Sequence, residues 1–304
     1  MSGTRIPRVL SIAGTDPTGG AGIQADLKSI AAVGGYGMAV VTALVAQNTL
    51  GVRAVHVPPT DFLAAQLHAV SDDVRIDAVK IGMLGTTDVI RTVETWLDRV
   101  APPIVVLDPV MVATSGDRLL DSEAEAALRA LVGRADLVTP NIPELAILAR
   151  EPRAADWAAV LAQAGRVAEH YDVLVLAKGG HLGGAAAPDA LVSGGASGTE
   201  AAVVEYPATR IVTTNTHGTG CSLSAAVATR RGLGATWTDA VAESKRWLTE
   251  SIRHGAELGV GHGHGPIHHF AGLWERGGTT TRPVVAEARD EGCRRTDGGP
   301  ASIG

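Results

Sequence analysis

The chain has 304 residues, 45% of them hydrophobic and 19% charged, a globular composition with enough length for one large core. Its net charge of -6 is spread without a Lys/Arg stripe, and only 2 Phe and 3 Tyr are present to stack on bases, which argues against a nucleic-acid partner. The first apolar run, Val9 to Gly14, is too short for a signal peptide core or a membrane span, so a cytoplasmic protein with no membrane partner is expected.

In chain order, residues 8–13, 38–45, 78–81, 104–107, 137–139 and 173–177 are nearly continuous in Val, Ile, Leu and Ala. Parallel strands covered by helices on both faces have this character. Between them, 61–71, 87–100, 122–132 and 156–170 carry apolar residues at helical spacing. Two short extended pieces follow, 189–193 and 201–206, separated by Gly/Ala/Ser-rich stretches, and predict a β-meander at the sheet edge. Helices are expected over 219–231 and 237–254, and beyond Trp274 apolar periodicity is lost. The pattern predicts an α/β fold with a mostly parallel central sheet, helices on both faces and the meander at its edge. One domain is expected over 1–276, with 277–304 a disordered tail.

Ligands of open parallel sheets sit outside the carboxyl ends of the strands, and four motifs fall there. The first, Gly14 to Asp26, is glycine-rich after the first strand but lacks both the Walker A ending and a G-x-G-x-x-G spacing. It suits close backbone approach to a ligand, or equally tight helix packing. The second, Asn215-Thr216-His217-Gly218-Thr219-Gly220-Cys221-Ser222, opens a helix. Backbone N–H groups of Gly218, Thr219, Gly220 and Cys221 would make an anion hole for a transferred phosphoryl group. The same helix end lowers a thiol's pKa, so Cys221 is expected to take a proton from a substrate hydroxyl; a glycine-capped helix start with an inert cysteine is the other reading.

The third motif joins Asp108-Pro109-Val110-Met111 to Asn141-Ile142-Pro143-Glu144 at two strand ends, where Asp108 and Glu144 would hold Mg²⁺ against nucleotide phosphates. Glu144 reads equally as a helix-capping carboxylate. The fourth, Lys178-Gly179-Gly180-His181, places a lysine at a strand tip, as a phosphate contact or a surface turn. Cys221 and Cys293 have neither disulfide nor zinc spacing. Gly261-His262-Gly263-His264-Gly265 offers no rigid frame for a metal and is expected to cap the last helix or form a nucleotide-side loop.

With these motifs in this order, the chain resembles the hydroxymethylpyrimidine/phosphomethylpyrimidine kinases of thiamine biosynthesis, in the ribokinase superfamily, from about Val9 to Phe270. The segments Gly19 to Lys28, Thr42 to Thr49, Lys80 to Leu84, Asn215 to Cys221 and Gly261 to Phe270 carry it. The resemblance implies ATP-dependent phosphorylation of a hydroxymethylpyrimidine and then of its monophosphate, with Cys221 where most ribokinase-like enzymes place an aspartate. It implies that Gln47 hydrogen-bonds the pyrimidine edge, that Gly14 and Asp26 border the same pocket, and that Met83 and Val110 pack on the ring. ATP with Mg²⁺ would lie along Asn141, Glu144 and Lys178, with Thr214 and His217 as further ATP contacts. A homodimer is implied as well. A vitamin B6 kinase and a non-catalytic ligand sensor are the alternative readings, and the tail is too short and polar for an added thiamine-phosphate synthase domain.

Overall fold

A computed structural model describes residues 5–111, 119–194 and 202–276. The expected tail, 277–304, and Cys293 within it lie outside the described residues. The chain begins with β1 (Arg8–Ala13), α1 (Gly22–Ala32) and β2 (Tyr36–Val41), then a hairpin of β3 (Leu44–Asn48) and β4 (Gly51–His56). It continues through α2 (Thr60–Ser71), β5 (Ala78–Ile81), α3 (Thr87–Val100), β6 (Val105–Leu107), α4 (Glu125–Val132), β7 (Leu137–Val138) and α5 (Ile142–Ala149). Then come α6 (Trp157–Tyr171), β8 (Leu174–Lys178), β9 (Asp189–Ser193), β10 (Ala202–Tyr206), α7 (Thr219–Gly232), α8 (Trp237–Arg253) and α9 (Ala271–Arg276). No helix among the described residues is long and apolar enough to cross a membrane.

The main sheet runs β10-β9-β8-β7-β6-β5-β1-β2. Strands β1, β2 and β5 to β8 are parallel, and β9 and β10 return antiparallel at one edge. The central strands are apolar throughout because both faces are covered: one by α2 to α6, the other by α1, α7 and α8. Helix α3 shows how the sequence chooses its face. Val89, Ile90, Val93, Trp96 and Leu97 fall on one side and are buried, and Thr86 caps the start by accepting from the Val89 N–H at 3.3 Å. Helix α7 is built of small residues, with Ser222, Ser224, Ala225, Ala226 and Ala228 buried, which lets its first turn lie close to the strand ends.

The expected strand over 38–45 is in fact two. After Val41 the chain leaves the sheet, Thr42 Oγ1 donating to the Met83 carbonyl at 2.6 Å, and Leu44, half exposed, starts the separate two-stranded sheet of β3 and β4. That hairpin arches over the strand ends on a small cluster of Ala43, Val45 and Met83.

Beneath the strand ends, Lys80 on β5 and Asp26 on α1 form an ion pair with both side chains wholly buried, Nζ lying 2.9 Å from each carboxylate oxygen. Ser11 Oγ donates to the same carboxylate at 2.6 Å. Burial disfavours the charge on Lys80, but the Asp26 carboxylate holds the ammonium above its usual range. In Lys80→Met the buried carboxylate loses its cation, and one-sided breakage of such a pair costs about 3–5 kcal/mol. The urea midpoint should therefore fall steeply, with Lys80→Met/Asp26→Asn recovering part of the loss; a single variant as stable as the parent would contradict a charged pair.

Candidate active site

A cleft of about 600 Å³ opens at the carboxyl ends of the parallel strands, between the hairpin and helix α8. Gly14, Gln47, Met83, Asp108, Val110, Asn141, Glu144, Lys178, His217, Gly218, Thr219, Gly220 and Cys221 all line it. Asp26 and Thr214 do not. Asp26 is committed to Lys80 and Ser11 below the cleft floor, and Thr214 is exposed on the surface, so neither borders the pocket as expected.

The cleft floor is made by two glycine-bearing loops that interlock. In the first, the buried Asp16 carboxylate accepts the Thr18 N–H and hydroxyl through Oδ1, at 3.0 and 2.7 Å, and the Gly20 and Ala21 N–H groups through Oδ2, at 3.0 and 2.8 Å. His217 Nε2, from the second loop, lies 2.8 Å from the same Oδ2. Burial works against the charge on Asp16, but the hydrogen bonds from His217 and Thr18 prevail and hold the carboxyl below its ordinary value. Gly218 has φ +76°, and a Cβ there would sit 1.8 Å from the Gly20 carbonyl oxygen, so only glycine lets the loops meet. His217, expected on ATP, thus has its Nε2 turned to Asp16.

Helix α7 starts immediately after Gly218. The first N–H groups of a helix have no carbonyl inside it to bind, so those of Gly220 and Cys221 face the cleft end as donors for an anion. Lys178 closes this end: a Cβ on Gly220 would lie 3.2 Å from its Nζ and 3.6 Å from Asp108 Oδ2. Lys178 Nζ and Thr139 Oγ1 each donate to Asp108 Oδ1 at 3.0 Å. Burial opposes both charges of this pair, yet each holds the other ionised, Asp108 below and Lys178 above its ordinary value.

Glu144 and Asn141 form a reciprocal capping box at the start of α5, the Asn141 N–H donating to Glu144 Oε2 at 2.8 Å and the Glu144 N–H to Asn141 Oδ1 at 2.9 Å. Burial pushes the Glu144 carboxyl up to about 7, Lys178 opposing and Asp108 assisting. Among the described residues no three His, Cys, Asp or Glu side chains form a protein-only metal cage. Two carboxylates beside an anion end suit a divalent ion that keeps water and phosphate in its shell.

The expected acidic thiol is not what the fold produces. Burial pushes the Cys221 thiol up to about 11, outweighing the nearby Lys80 and a hydrogen bond from the Gly22 backbone. At the opposite end, Gln47 faces the cleft from β3, with Nε2 3.4 Å from the Thr15 carbonyl oxygen. A Cβ on Gly14 would lie 3.1 Å from Met83 Sδ, so a larger residue there would press on the thioether.

A further wall was not foreseen in the sequence. Ile211, Leu223, Leu248 and Ile252 make an apolar surface, with Lys245 paired to Asp189 at 2.5 Å beside it. The Arg210 guanidinium donates to the carbonyls of Gly180, Leu182, Gly184 and Ala186 and so pins the loop after β8. Arginine bound to backbone carbonyls leaves no charge pattern to read, whereas Leu248 and Ile252 on one face of α8 were a signal of helical period.

Solved structures place this arrangement. The chain is similar to Bacillus subtilis pyridoxal kinase, solved as an ADP complex, at TM-score 0.76 and 32% identity over 88% of this chain and 99% of that one. Fold and cleft are similar to those of ribokinase-like small-molecule kinases. The family described as phosphomethylpyrimidine kinase matches residues 16–268, and the chain belongs to that family. Escherichia coli hydroxymethylpyrimidine/phosphomethylpyrimidine kinase is 49% identical over 87% of this chain and 98% of its own length. The thiamine biosynthesis multifunctional protein ThiED of Corynebacterium glutamicum is 55% identical over 86% of this chain, which spans about a third (34%) of that relative's length.

The raised thiol pKa has a direct readout. In a Cys293→Ser background, alkylation of Cys221 by iodoacetamide should keep accelerating beyond about pH 9, because the thiolate is the nucleophile. A rate that levels off near neutral pH would mean that the helix end, and not burial, governs the sulfur.

Proposed function

We propose that the protein transfers the γ-phosphoryl group of ATP to the hydroxymethyl group of 4-amino-5-hydroxymethyl-2-methylpyrimidine, and then phosphorylates the monophosphate to the pyrophosphate. The observation that carries this reading is the polarity of the cleft. One end gathers the helix N–H groups of Gly220 and Cys221 with Lys178, and the other offers an amide, Gln47, beside the apolar Met83 and Val110. Membership of the phosphomethylpyrimidine kinase family supports the same substrates.

In this reading Gln47 binds the aminopyrimidine edge, and Met83 and Val110 pack against the ring. The acceptor hydroxyl then lies toward Cys221, and the transferring phosphoryl group over the N–H groups of Gly218 to Cys221. Phosphoryl transfer asks for positioning and charge stabilisation more than covalent chemistry, which suits a site of preformed donors. Lys178, shared with Asp108, and Asn141 bind the nucleotide phosphates, and the apolar wall of Ile211, Leu248 and Ile252 receives the base. Asp108 and Glu144 would hold Mg²⁺ through water, and the ion supplies neutralisation of the phosphate charge. The protein acts as a cytoplasmic homodimer without a nucleic-acid partner.

The deciding experiment is ATP turnover by the purified protein with Mg²⁺ and hydroxymethylpyrimidine, its monophosphate or pyridoxal as acceptor, with products identified by mass. Conversion of both pyrimidines is expected. Turnover of pyridoxal alone would replace the assignment with a vitamin B6 kinase, and no turnover would favour a ligand sensor. Gln47→Ala should raise the pyrimidine KM by roughly tenfold or more, the cost of an unpaired polar edge. Cys221→Ala should lower kcat while leaving ATP binding intact.

A further inference from the structure

The run Gly261 to Pro266 has no part in the chemistry above, yet its glycines are dictated by contacts on both sides of the cleft. At one end it grips Thr49, at the tip of the β3–β4 hairpin. The Gly263 N–H donates to Thr49 Oγ1 at 3.2 Å, and the His264 N–H to the Thr49 carbonyl at 2.9 Å. A Cβ on Gly263 would lie 2.0 Å from that carbonyl oxygen, and one on Gly261, which has φ +75°, would lie 2.2 Å from Oγ1. At the other end the His217 N–H donates to the Gly265 carbonyl at 3.1 Å, and a Cβ on Gly265 would lie 2.2 Å from Asn215 Nδ2. His262 and His264 are exposed, and the segment neither caps α8 nor gathers a metal site among the described residues.

Thr49 stands two residues from Gln47, and His217 is adjacent to Gly218. We propose that Thr49 is a positioning residue: through the strap 261–266 it holds the hairpin carrying Gln47 and the loop carrying Gly218 at one fixed spacing. The inference rests on the kinase reading, in which Gln47 meets the acceptor and Gly218 begins the anion hole. The strap then sets the distance between acceptor recognition and phosphoryl stabilisation, and small errors in that distance act on transfer itself. Thr49 is itself buried, 7% exposed, which makes its hydroxyl a fixed partner and not a solvated one.

Thr49→Val keeps the shape and removes the hydroxyl, and Thr49→Ser restores it. In the full-length Thr49→Val protein, pyrimidine KM should rise about fivefold and kcat should fall, the scale of one lost hydrogen bond, with ATP KM unchanged and Thr49→Ser near the parent. Amide hydrogen exchange without ligands should quicken at His217, at the far end of the strap, as well as in the hairpin. Thr49→Ala, which adds no bulk, should reproduce the pattern. Exchange altered in the hairpin alone, or an active Thr49→Val enzyme with parental KM and kcat, would overturn the proposal. A parent protein that phosphorylates no pyrimidine would overturn the assigned reaction instead, and the ligand-free exchange would still decide whether the strap couples the two loops.

Discussion

The end of the cleft at the start of α7 depends on one buried carboxylate. Asp16 draws the Thr18, Gly20 and Ala21 N–H groups around it and takes the His217 ring from a loop about two hundred residues further along the chain. Hydrogen bonds to a charged group are among the stronger ones in a folded protein, roughly 1.5–3 kcal/mol each. They are what brings Gly20 and Gly218 so close that neither tolerates a side chain. The first turn of α7 is aimed by that closeness, and with it the N–H groups of Gly220 and Cys221. Catalysis by preorganised donors needs this: the donors must be in place before charge develops, with no rearrangement left to drive.

The charges around the cleft are arranged with the same economy. Each deep lysine has its own aspartate, Lys80 with Asp26 and Lys178 with Asp108. Each pair compensates its own buried charge, and Glu144, its carboxyl pushed up to about 7 by burial, adds only partial charge near neutrality. The pairs differ in depth. Lys80 is wholly enclosed and ties α1 to the sheet, whereas Lys178 lines the cleft and is available to share its donors with a phosphate. A lysine already paired is also held in place, so binding does not have to order a flexible side chain.

How much of this is legible in the sequence follows from how local each cause is. The strand at 78–81 and the helix at 87–100 are plain because burial on both faces, or on one, stamps an unbroken run or a helical period. The β3–β4 hairpin is hidden because its outer residues are exposed and its turn is anchored by a distant strap, so no alternation marks it. Helices α1 and α5 are short and begin at Gly22 and at the Asn141–Glu144 box, features that also read as ligand loops. Most cleft residues could be named, since motifs at strand ends converge by the geometry of the fold. Asp26 could not be placed: a carboxylate in a glycine-rich motif looks like a ligand contact until Lys80 is seen to come from another strand. Asp16 and Thr49 carry no sequence signal for the same reason, because their partners at His217 and at Gly263 to His264 are remote in sequence.

In the proposed reaction, the state of Cys221 bears on how the acceptor hydroxyl would lose its proton. A helix start argues for an acidic thiol, but Cys221 is only partly exposed at the cleft wall, and loss of solvent pushes its pKa up to about 11, so the thiol is protonated at neutral pH. A preformed thiolate is therefore not the resting state of the cleft. Phosphoryl transfer through a loose transition state makes little demand on the attacking oxygen before the bond to phosphorus is well advanced, so the hydroxyl need not be ionised beforehand. In the proposed reaction the protonated thiol suits a partner that orients the hydroxyl, whose proton leaves late, to a phosphoryl oxygen or to water, as the acidity of the attacking oxygen rises during transfer. The buried Lys80–Asp26 pair, which lies outside the cleft lining, serves the fold by tying α1 to the sheet directly below the turn that presents the thiol.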